Sequence, residues 1–489
     1  MNRLSGQARR SLIAIVGGGA SGTLTAVQLL RQAASRRLAV QVVLIDRYGR
    51  HGRGQAYSTR NEFHLLNTMA GQMSAFPDEP DHLVRWAGVP EEAFLPRRTY
   101  GRYLCETLEQ AQRQALPSGL LARSSSEISA ISLGAGDRRL RLTGANGWLE
   151  ADAAVLALGS MTAGLPCDAP ASGRVIADPW RPGALDEIRD NKPVLIVGTG
   201  LTMIDLAITI SEQSPGSMIY AVSRHGLLPR PHPGGPGTTG RADEPISAIP
   251  LRGGARLREM MAQVSTAVAA DRTRWHDVIN AIRPQVPELW RGLPDDDKRL
   301  FMRRLARYWE VHRHPVPPPT AARLAALRGS GRLSVISGRV ADVVDVAGQF
   351  QARIDLSSGA ADVGPDGLES GGQRGGGRQA IRELTVGWII NAAGAATDIH
   401  ATSDPLLANL FASGIARPDQ LGLGLDATRH GALINSSGAT SDVIYTLGPP
   451  LRGLWYETTS IPEIRSQAIA LAARISADLR LRRQQDSAA

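Results

Sequence analysis

The sequence has little lysine, little cysteine and no long apolar run. Of its 55 basic residues only Lys192 and Lys298 are lysines, and Cys105 and Cys167 are its two cysteines. Two distant cysteines exclude a disulfide framework, and the absence of a CxxC pair excludes dithiol chemistry. Since no stretch reaches about 20 apolar residues, we predict no membrane-spanning helix. We expect a protein of the reducing cytoplasm.

The formal net charge is +9 at pH 7, but the arginines are scattered along the chain. No basic run resembles a nucleic-acid-binding arm, so we predict no nucleic-acid partner and only a mild attraction for phosphate-bearing or acidic ligands. Near the N-terminus, Arg3, Arg9 and Arg10 precede an apolar stretch, as in a signal peptide. Gly17-Gly18-Gly19 interrupts that stretch at once, which favours a first core strand.

Alternating apolar strands and helices along 489 residues predict an α/β protein with more than one core. A strand–helix–strand unit runs from about residue 12 to Asp46, and a second begins at Pro193 and ends at Arg224. Apolar spacing of three and four predicts a helical insert over 252–328. The low-complexity stretch 357–379 is predicted to be an insertion in a hairpin.

The first strand–helix junction contains the glycine pattern Gly17-x-Gly19-x-x-Gly22. Such glycines permit a tight turn, a close approach of the backbone to a pyrophosphate, and close packing of helix on strand. The helix N-terminus offers free N–H groups to the phosphates. An acid at the end of the next strand would accept the ribose hydroxyls. We therefore predict a dinucleotide site formed by Gly17, Gly19, Ala20, Ser21, Gly22 and Asp46.

The second junction contains Gly198-x-Gly200, but Met203 stands where a third glycine or alanine is expected. Dinucleotide binding by Gly198, Gly200, Leu201 and Thr202 is therefore a weaker prediction. The strand that follows ends in Arg224 rather than in an acid. An arginine there would pair with the 2′-phosphate of NADPH, whereas a carboxylate would repel it. The alternative is a solvated surface arginine.

Two glycine turns of this kind resemble the flavoproteins with two dinucleotide-binding domains. Asp46-Arg47 resembles their FAD ribose end, and the stretches 152–160 and 386–394, which ends at Gly394, resemble the strands by which their chains return between domains. The resemblance implies two Rossmann-like domains, for FAD and NADPH, with a helical insertion. We predict FAD-binding parts at 1–165 and 386–489, and an NAD(P)H-binding domain at 190–385.

Longer stretches are similar to a bacterial FAD/NAD(P)-binding family. They are GRGQAYST, HLLNTMAGQMSAFPDEPDHLVRW, VLIVGTGLTMIDL, RYWEVHRHPVPP and LGPPLRGLWYETTSIPEIRSQA. This resemblance implies that Gly54 and Gln55 contact the cofactor, together with Gly394 and Gly448. Gly448-Pro449-Pro450 replaces the Gly-Asp of many relatives in the last flavin segment.

A more distant resemblance is to flavin-containing and N-hydroxylating monooxygenases. The order Asn67, Met73 and Phe76-Pro77-Asp78 is similar to a segment in which an asparagine beside the flavin steadies its oxygenated form. The resemblance implies that Asn67 is catalytic and that Asn67 and Met73 contact the cofactor. The alternative is that Asn67 caps a turn. The FxGxxxH pattern of such monooxygenases is absent before the second turn.

Other polar groups have two interpretations each. His312-x-His314 has no third ligand at helical spacing, so we predict no metal site. Trp309, Glu310, His312 and Arg313 could line a substrate cavity, but core packing and surface pairing are the preferred interpretation. His64 could shuttle protons or be structural, with the structural role preferred. Tyr456 could contact flavin or substrate, and Glu457 could act as a base or pair with an arginine.

The sequence-based hypothesis is an FAD-dependent, NADPH-using monooxygenase. NADPH would reduce the flavin, and O₂ would form a C4a-(hydro)peroxide that oxygenates a small molecule. A first alternative is a dehydrogenase or electron-transfer flavoprotein without oxygenation. A second is a non-catalytic, redox-responsive flavoprotein, which Met203 in the second turn would favour. The substrate and the oligomeric state do not follow from the sequence.

Overall fold

The computed structural model describes residues 10–134, 140–232, 251, 254–270, 275–357 and 380–488. Residues 358–379 of the insertion predicted at 357–379, and Arg3 and Arg9 of the basic N-terminus, lie outside these ranges.

The strands form three sheets. Their bounds are β1 Ser11–Val16, β2 Val40–Ile45, β3 Gly119–Ser124, β4 Ile128–Leu133, β5 Leu140–Gly144, β6 Gly147–Ala151, β7 Ala153–Leu156, β8 Val175–Ile176, β9 Val194–Val197, β10 Ile219–Ser223, β11 Leu333–Val346, β12 Gln349–Leu356, β13 Ile381–Val386, β14 Trp388–Asn391, β15 Ala432–Ile434 and β16 Thr440–Thr446.

Helices cover the sheets and form the insert. Their bounds are α1 Ala20–Arg36, α2 His82–Ala87, α3 Arg97–Ala115, α4 Leu201–Gln213, α5 Leu257–Ala270, α6 Trp275–Ile282, α7 Val286–Gly292, α8 Asp295–Arg304, α9 Ala306–Arg313, α10 Pro318–Gly329, α11 Pro405–Ala412, α12 Arg452–Trp455 and α13 Ile461–Ala488.

The first sheet has the strand order β15-β16-β7-β1-β2-β3. Its central strands are parallel, with Ile13 opposite both Val42 and Ala153. Such strands are buried on both faces, which is why β1 and β2 are apolar throughout. Helices α1, α3 and α13 contribute to the core on one face, and the antiparallel sheet β4-β5-β6 and α11 to the core on the other.

The second sheet has the order β13-β12-β11-β10-β9-β14-β8. Its parallel part pairs β9 with β10 and β14, and α4 and α10 contribute to the core on one face. The two glycine turns thus occupy equivalent places, each following a central strand of its sheet. The predicted α/β fold with two Rossmann-like domains is confirmed.

One strand lies in a different sheet from the one predicted. Trp388–Asn391 was assigned to the second part of the FAD-binding domain, but Trp388 pairs with Val194 in the second sheet. The chain rejoins the first sheet only at Thr440–Thr446, which pairs with Ala153–Leu156. The domain limits as a whole stay a prediction.

Helices α5 to α9 form the helical insert. Leu257, Val278 and Trp290 share a core with Leu423 and Tyr456, which belong to the carboxyl-terminal part of the chain. The insert therefore packs on the segment that was predicted to approach the flavin. A helical insertion is confirmed, but the predicted range 252–328 also takes in most of α10, which packs in the core of the second sheet instead.

Candidate functional site

The first glycine turn has no room for side chains. Gly17 has φ +113°, and a Cβ there would collide with the carbonyl oxygen of Ala157 at the end of β7. A Cβ at Gly22 would collide with the carbonyl oxygen of Gly17. The glycines are therefore required for the turn itself and for the close packing of α1 on β1.

The two turns begin their helices with nearly the same backbone. Gly19 has φ −74° and ψ −166°, Gly200 has φ −80° and ψ −167°, and neither helix has a side-chain cap. The N–H groups of Ala20 and Ser21, like those of Leu201 and Thr202, thus have no intrahelical acceptor. Both sites fit an anionic phosphate group.

Asp46 lies beside the first turn, at the end of β2. Its Oδ2 accepts from the N–H of Gly18 at 3.2 Å. Its Oδ1 accepts from the N–H groups of Tyr48 and Arg50 at 3.0 and 2.9 Å. The carboxylate is thereby fixed in orientation, and Oδ2, with a single long hydrogen bond, keeps acceptor capacity for a ribose hydroxyl.

The GRGQ stretch folds back onto the first turn. Gly52 N–H donates to the carbonyl oxygen of Gly18 at 2.9 Å, and a Cβ at Gly54 would lie 2.5 Å from the Cα of Gly19. Gln55 is exposed next to this contact. Arg47, also predicted to bind the cofactor, is half-exposed and pairs with Glu127 at 3.7 Å.

The carboxyl-terminal segment reaches the same turn. A Cβ at Gly448 would lie 2.7 Å from the Oγ of Ser21. Gln467 on α13 accepts from the N–H of Gly448 at 2.7 Å, and Thr458 Oγ1 donates to the carbonyl oxygen of Gly448 at 3.0 Å. Residues that are predicted from both ends of the chain therefore meet at one place.

The second turn repeats the contact of the first. Gly198 has φ +127°, and a Cβ there would collide with the carbonyl oxygen of Ala392 at the end of β14. Gly394 follows that strand and accepts from the N–H of Ala163 at 3.2 Å. Met203 is fully buried in the core of the second domain. The first helical hydrogen bond of α4, from the N–H of Ile204 to the carbonyl oxygen of Gly200, is 3.3 Å long. The equivalent bond of α1, from Thr23 to Gly19, is 2.9 Å long.

Positive charge is concentrated beyond the second turn, after β10, where Arg224 and Arg307 both act on His225. Arg224 is exposed, and among the residues that the structure describes none pairs with its guanidinium. The pKa of His225 is lowered, first by desolvation and then by the charges of Arg307 and Arg224. Thr199 in the turn accepts from or donates to Ser223 at 2.8 Å, which fixes this loop to the turn. The position fits a coenzyme phosphate.

Asn67 lies at the boundary of the two domains. Its carbonyl oxygen accepts from Nε2 of His232 at 3.1 Å, and His232 belongs to the loop after β10. Its half-buried side-chain amide has no hydrogen-bond partner among the described residues, so they provide no support for the turn-capping alternative. Met73 is 4% exposed within the first core, where it packs rather than presents a face to solvent.

The contacts of His64 favour its structural role. Its ring nitrogens contact Thr59 Oγ1 at 2.7 Å, and both the carbonyl oxygen of Asp205 and Thr209 Oγ1, at 2.8 and 2.9 Å. Burial lowers its pKa. The neighbouring ion pair between Arg97 and Asp205, 3.4 Å, joins the same elements. These contacts fix the loop of Asn67 against α4, and sequence patterns gave no signal for them.

Helix α9 pairs with the carboxyl-terminal segment through two ion pairs, of which the pair of Arg313 with Glu457 is buried. Glu457 accepts from Trp309 Nε1 at 2.8 Å and from Arg313 Nε at 3.1 Å. Of the two interpretations of Glu457, a base or the partner of an arginine, these contacts favour the second. Glu310 accepts from Arg452 at 2.8 Å. Burial acts to raise the pKa of Glu310, but His314 and Arg452 outweigh it and hold that pKa at about 2.

Tyr456 has a backbone conformation that side chains rarely adopt, with φ +57° and ψ −60°. Its ring packs on Trp290 and Phe301 at centroid distances of 4.7 and 5.2 Å. Its hydroxyl donates to Glu310 at 3.3 Å. The insert thus holds this residue in a strained conformation beside the segment that returns to the first turn.

The described part of the chain lacks two kinds of feature. No three histidine, cysteine, aspartate or glutamate side chains there are grouped so that they could hold a metal ion. No helix there is both long and apolar enough to cross a membrane.

Residues 14–161 match a family model described as FAD-NAD(P)-binding. The amino-terminal unit is therefore an FAD-NAD(P)-binding domain, in agreement with the geometry of its glycine turn. A comparison with curated proteins found no match.

Solved structures of similar fold are flavoproteins with two dinucleotide-binding domains. The reduced ornithine hydroxylase of Pseudomonas aeruginosa has a TM-score of 0.60 and 17% identity, over 96% of this chain and 100% of that one. The ornithine N-hydroxylase of Kutzneria sp. 744, with reduced FAD, NADP⁺ and L-ornithine, has a TM-score of 0.60 and 15% identity, over 96% of this chain and 99% of that one. L-lysine 6-monooxygenase from Pseudomonas syringae has a TM-score of 0.60 and 14% identity, over 96% of this chain and 100% of that one. The predicted class of flavoprotein is thereby confirmed at the level of fold.

Proposed function

We propose that this protein is an FAD-dependent, NADPH-using oxidoreductase that acts as a monooxygenase on a small molecule. The observation on which the proposal depends is the place of Asn67. Its backbone is held by His232 from the loop after β10, its loop is tied to α4 through His64, and its amide is unpartnered among the described residues.

The first turn would hold FAD. The N–H groups of Ala20 and Ser21 would bind the pyrophosphate, and Asp46 Oδ2 would accept from the ribose. The contacts of Gly52 and Gly54 with this turn would exclude water from it. When bound, the flavin accepts a hydride and activates O₂, while the chain orients the cofactor and excludes water from it.

The second turn would hold NADPH. The N–H groups of Leu201 and Thr202 would bind its pyrophosphate, and Arg224 would bind its 2′-phosphate. Arg224 suits this role because no described carboxylate pairs with it, and because Arg307, whose charge acts on the same neighbouring His225, adds to the positive field. The fully buried Met203 is compatible with this turn, since its side chain packs inward.

Asn67 would act at the reacting centre. An amide that no protein group engages can donate to a developing negative charge on oxygen, and a donor fixed in place beforehand is worth about 3 kcal/mol of transition-state stabilisation. His232 positions the backbone of Asn67, and the contacts of His64 with α4 hold the loop from the other side. The structures of ornithine and lysine hydroxylases with the same fold support a monooxygenase of amine-like compounds.

Rapid mixing tests the proposal. Purified holoprotein should be yellow, should be bleached by NADPH without oxygen, and on mixing with O₂ should show a transient species before the oxidised spectrum returns. Asn67→Ala should shorten the lifetime of that species at least tenfold, while the exposed loop variant Asn146→Ala should not.

Three results would contradict it. Direct return to oxidised flavin in the wild type excludes monooxygenation. Equal turnover with an artificial acceptor in the absence of oxygen would identify a dehydrogenase. Failure of both NADPH and NADH to bleach the flavin would favour a non-catalytic flavoprotein.

A further inference from the structure

Three nitrogen atoms, on His232 and on two side chains of its neighbourhood, are buried and have no hydrogen-bond partner among the described residues. They are Nδ1 of His232, Nδ1 of His276 and an Nη2 of Arg313. The side chains of His232 and Arg313 are more than nine-tenths buried. Each such atom has lost its hydrogen bonds to water and destabilises the fold unless another group bonds to it. Three in one place point to a group that the protein alone does not supply.

The three side chains come from different elements. His232 follows β10, His276 is on α6, and Arg313 ends α9. The rings of His232 and His276 lie 5.3 Å apart. The charge of Arg313 acts on His276, so the three belong to one neighbourhood. Since His232 also donates to Asn67, this neighbourhood is one hydrogen bond away from the proposed reacting centre.

The hydrogen bond to Asn67 fixes the proton of His232. A carbonyl oxygen only accepts, so Nε2 of His232 carries the hydrogen. Burial lowers the pKa of His232, which keeps the ring neutral at pH 7. Nδ1 is therefore a bare acceptor that requires an N–H or O–H donor. Nη2 of Arg313 is a donor that requires an acceptor.

The walls around these nitrogens are aromatic. Phe94 lies 4.8 Å from the ring of His232, and Trp275 lies 5.4 Å from that of His276. Glu457 is engaged by Arg313 and Trp309, so it offers no free charge to a ligand cation. The pKa of His276 is lowered to about 4, first by desolvation and then by its electrostatic interaction with the neighbouring imidazole of His232; the charge of Asp277 opposes this shift and that of Arg313 adds to it.

We propose that His232, His276 and Arg313 form the substrate subsite, and that it takes a neutral, flat molecule with an N–H or O–H group. The donor of that molecule bonds to Nδ1 of His232, and its flat body packs against the aromatic rings that surround the two histidines. This inference rests on the proposed function, because it places the substrate beside Asn67.

Binding of small probes to the oxidised holoprotein tests the subsite. Aniline and phenol are flat, neutral donors, whereas toluene has the same shape without a donor. Perturbation of the flavin spectrum should show aniline or phenol binding at least about tenfold more tightly than toluene, the value of one hydrogen bond to a buried acceptor.

Two variants of one residue separate the roles of the ring nitrogens. His232→Gln keeps a donor near the carbonyl of Asn67 but removes the Nδ1 acceptor, so the preference over toluene should disappear. His232→Asn places an oxygen near the Nδ1 position and should retain part of it. His276→Phe should weaken aniline or phenol more than toluene.

Several outcomes overturn the subsite. Binding of no probe does so, as does equal binding of all three, which would mean that only a buried water satisfies these nitrogens. A preference that survives both His232→Gln and His276→Phe also does so. A protein that passes the oxygen test but binds no probe loses the subsite and keeps the function. A protein that binds aniline but is not bleached by NADPH loses the function and keeps the subsite.

Discussion

Arg313 and Glu457 form an ion pair of 3.1 Å in which the side chains are only 8% and 6% exposed. A buried pair of this kind is stable only while both charges are present, because removal of one leaves the other without compensation. The pair joins the last helix of the insert to the segment that returns to the first glycine turn.

Glu457→Gln is therefore expected to destabilise the protein by about 3–5 kcal/mol. Chemical denaturation followed by circular dichroism measures this. The matched control is Glu79→Gln, whose partner Arg85 lies 2.9 Å away with both side chains exposed. That change should cost no more than about 1 kcal/mol. Equal losses for the two variants would contradict a buried, uncompensated charge.

Alanine at the two turn glycines should separate the two cofactors. In Gly17→Ala the new Cβ would collide with the carbonyl of Ala157, so the purified protein should lack flavin. In Gly198→Ala the collision is with Ala392, so flavin should stay bound while NADPH no longer bleaches it.

The flavin absorbance per protein and the anaerobic bleaching rate are the two readouts. Gly173→Ala is the control, since a Cβ there meets nothing within 4 Å. Loss of flavin from Gly198→Ala, with a folded Gly17→Ala that keeps it, would reverse the assignment of the turns.

Arg224→Ala should change coenzyme preference. Loss of a charge-assisted bond to the 2′-phosphate should raise the KM for NADPH by roughly 10–100-fold and leave that for NADH nearly unchanged. Steady-state bleaching with each coenzyme measures it. Arg353→Ala, an exposed arginine on β12 of the same sheet, should alter neither value. An unaltered preference in Arg224→Ala would refute the assignment.

Stability should fall as the pH falls from 6.5 towards 4. Burial is the largest cause that lowers the pKa of His64, His232 and His276, to about 4 for the last. In that window the unfolded chain binds protons that the folded chain refuses, at about 1.4 kcal/mol per pH unit for each such histidine.

Unfolding free energies measured between pH 7 and 5 check this. His64→Gln should flatten the dependence, and His400→Gln controls for the loss of an exposed histidine. Stability that rises on acidification would contradict the expected sign.

The glycine turns could be predicted because their requirements are local. Gly17 and Gly198 each need a positive φ and space beside a neighbouring strand, and a short motif expresses both needs. The strand Trp388–Asn391 could not be assigned to its sheet in the same way. Its apolar run into a glycine turn has the same pattern as Ala153–Leu156, and pattern alone does not tell which sheet a buried strand joins.

The contacts that build the candidate site from distant parts of the chain left no sequence signal. His232 is 165 residues from Asn67, and Arg313 is 144 residues from Glu457. Residues so far apart share no periodicity, and each pair depends on how the insert and both sheets pack. The roles of the predicted site residues stay predictions, since geometry alone shows their positions and not their ligands.

Because the loop that holds Gly52 and Gly54 packs on the first turn, we expect the two turns to release their dinucleotides at different rates. At the first turn this loop is hydrogen-bonded to Gly18 and packs on Gly19, so a dinucleotide there could leave only after the loop detaches. At the second turn a Cβ on Gly200 would meet nothing within 4 Å. We expect the flavin to survive dialysis and dilution with a dissociation time of hours or longer, while the nicotinamide coenzyme exchanges within each turnover.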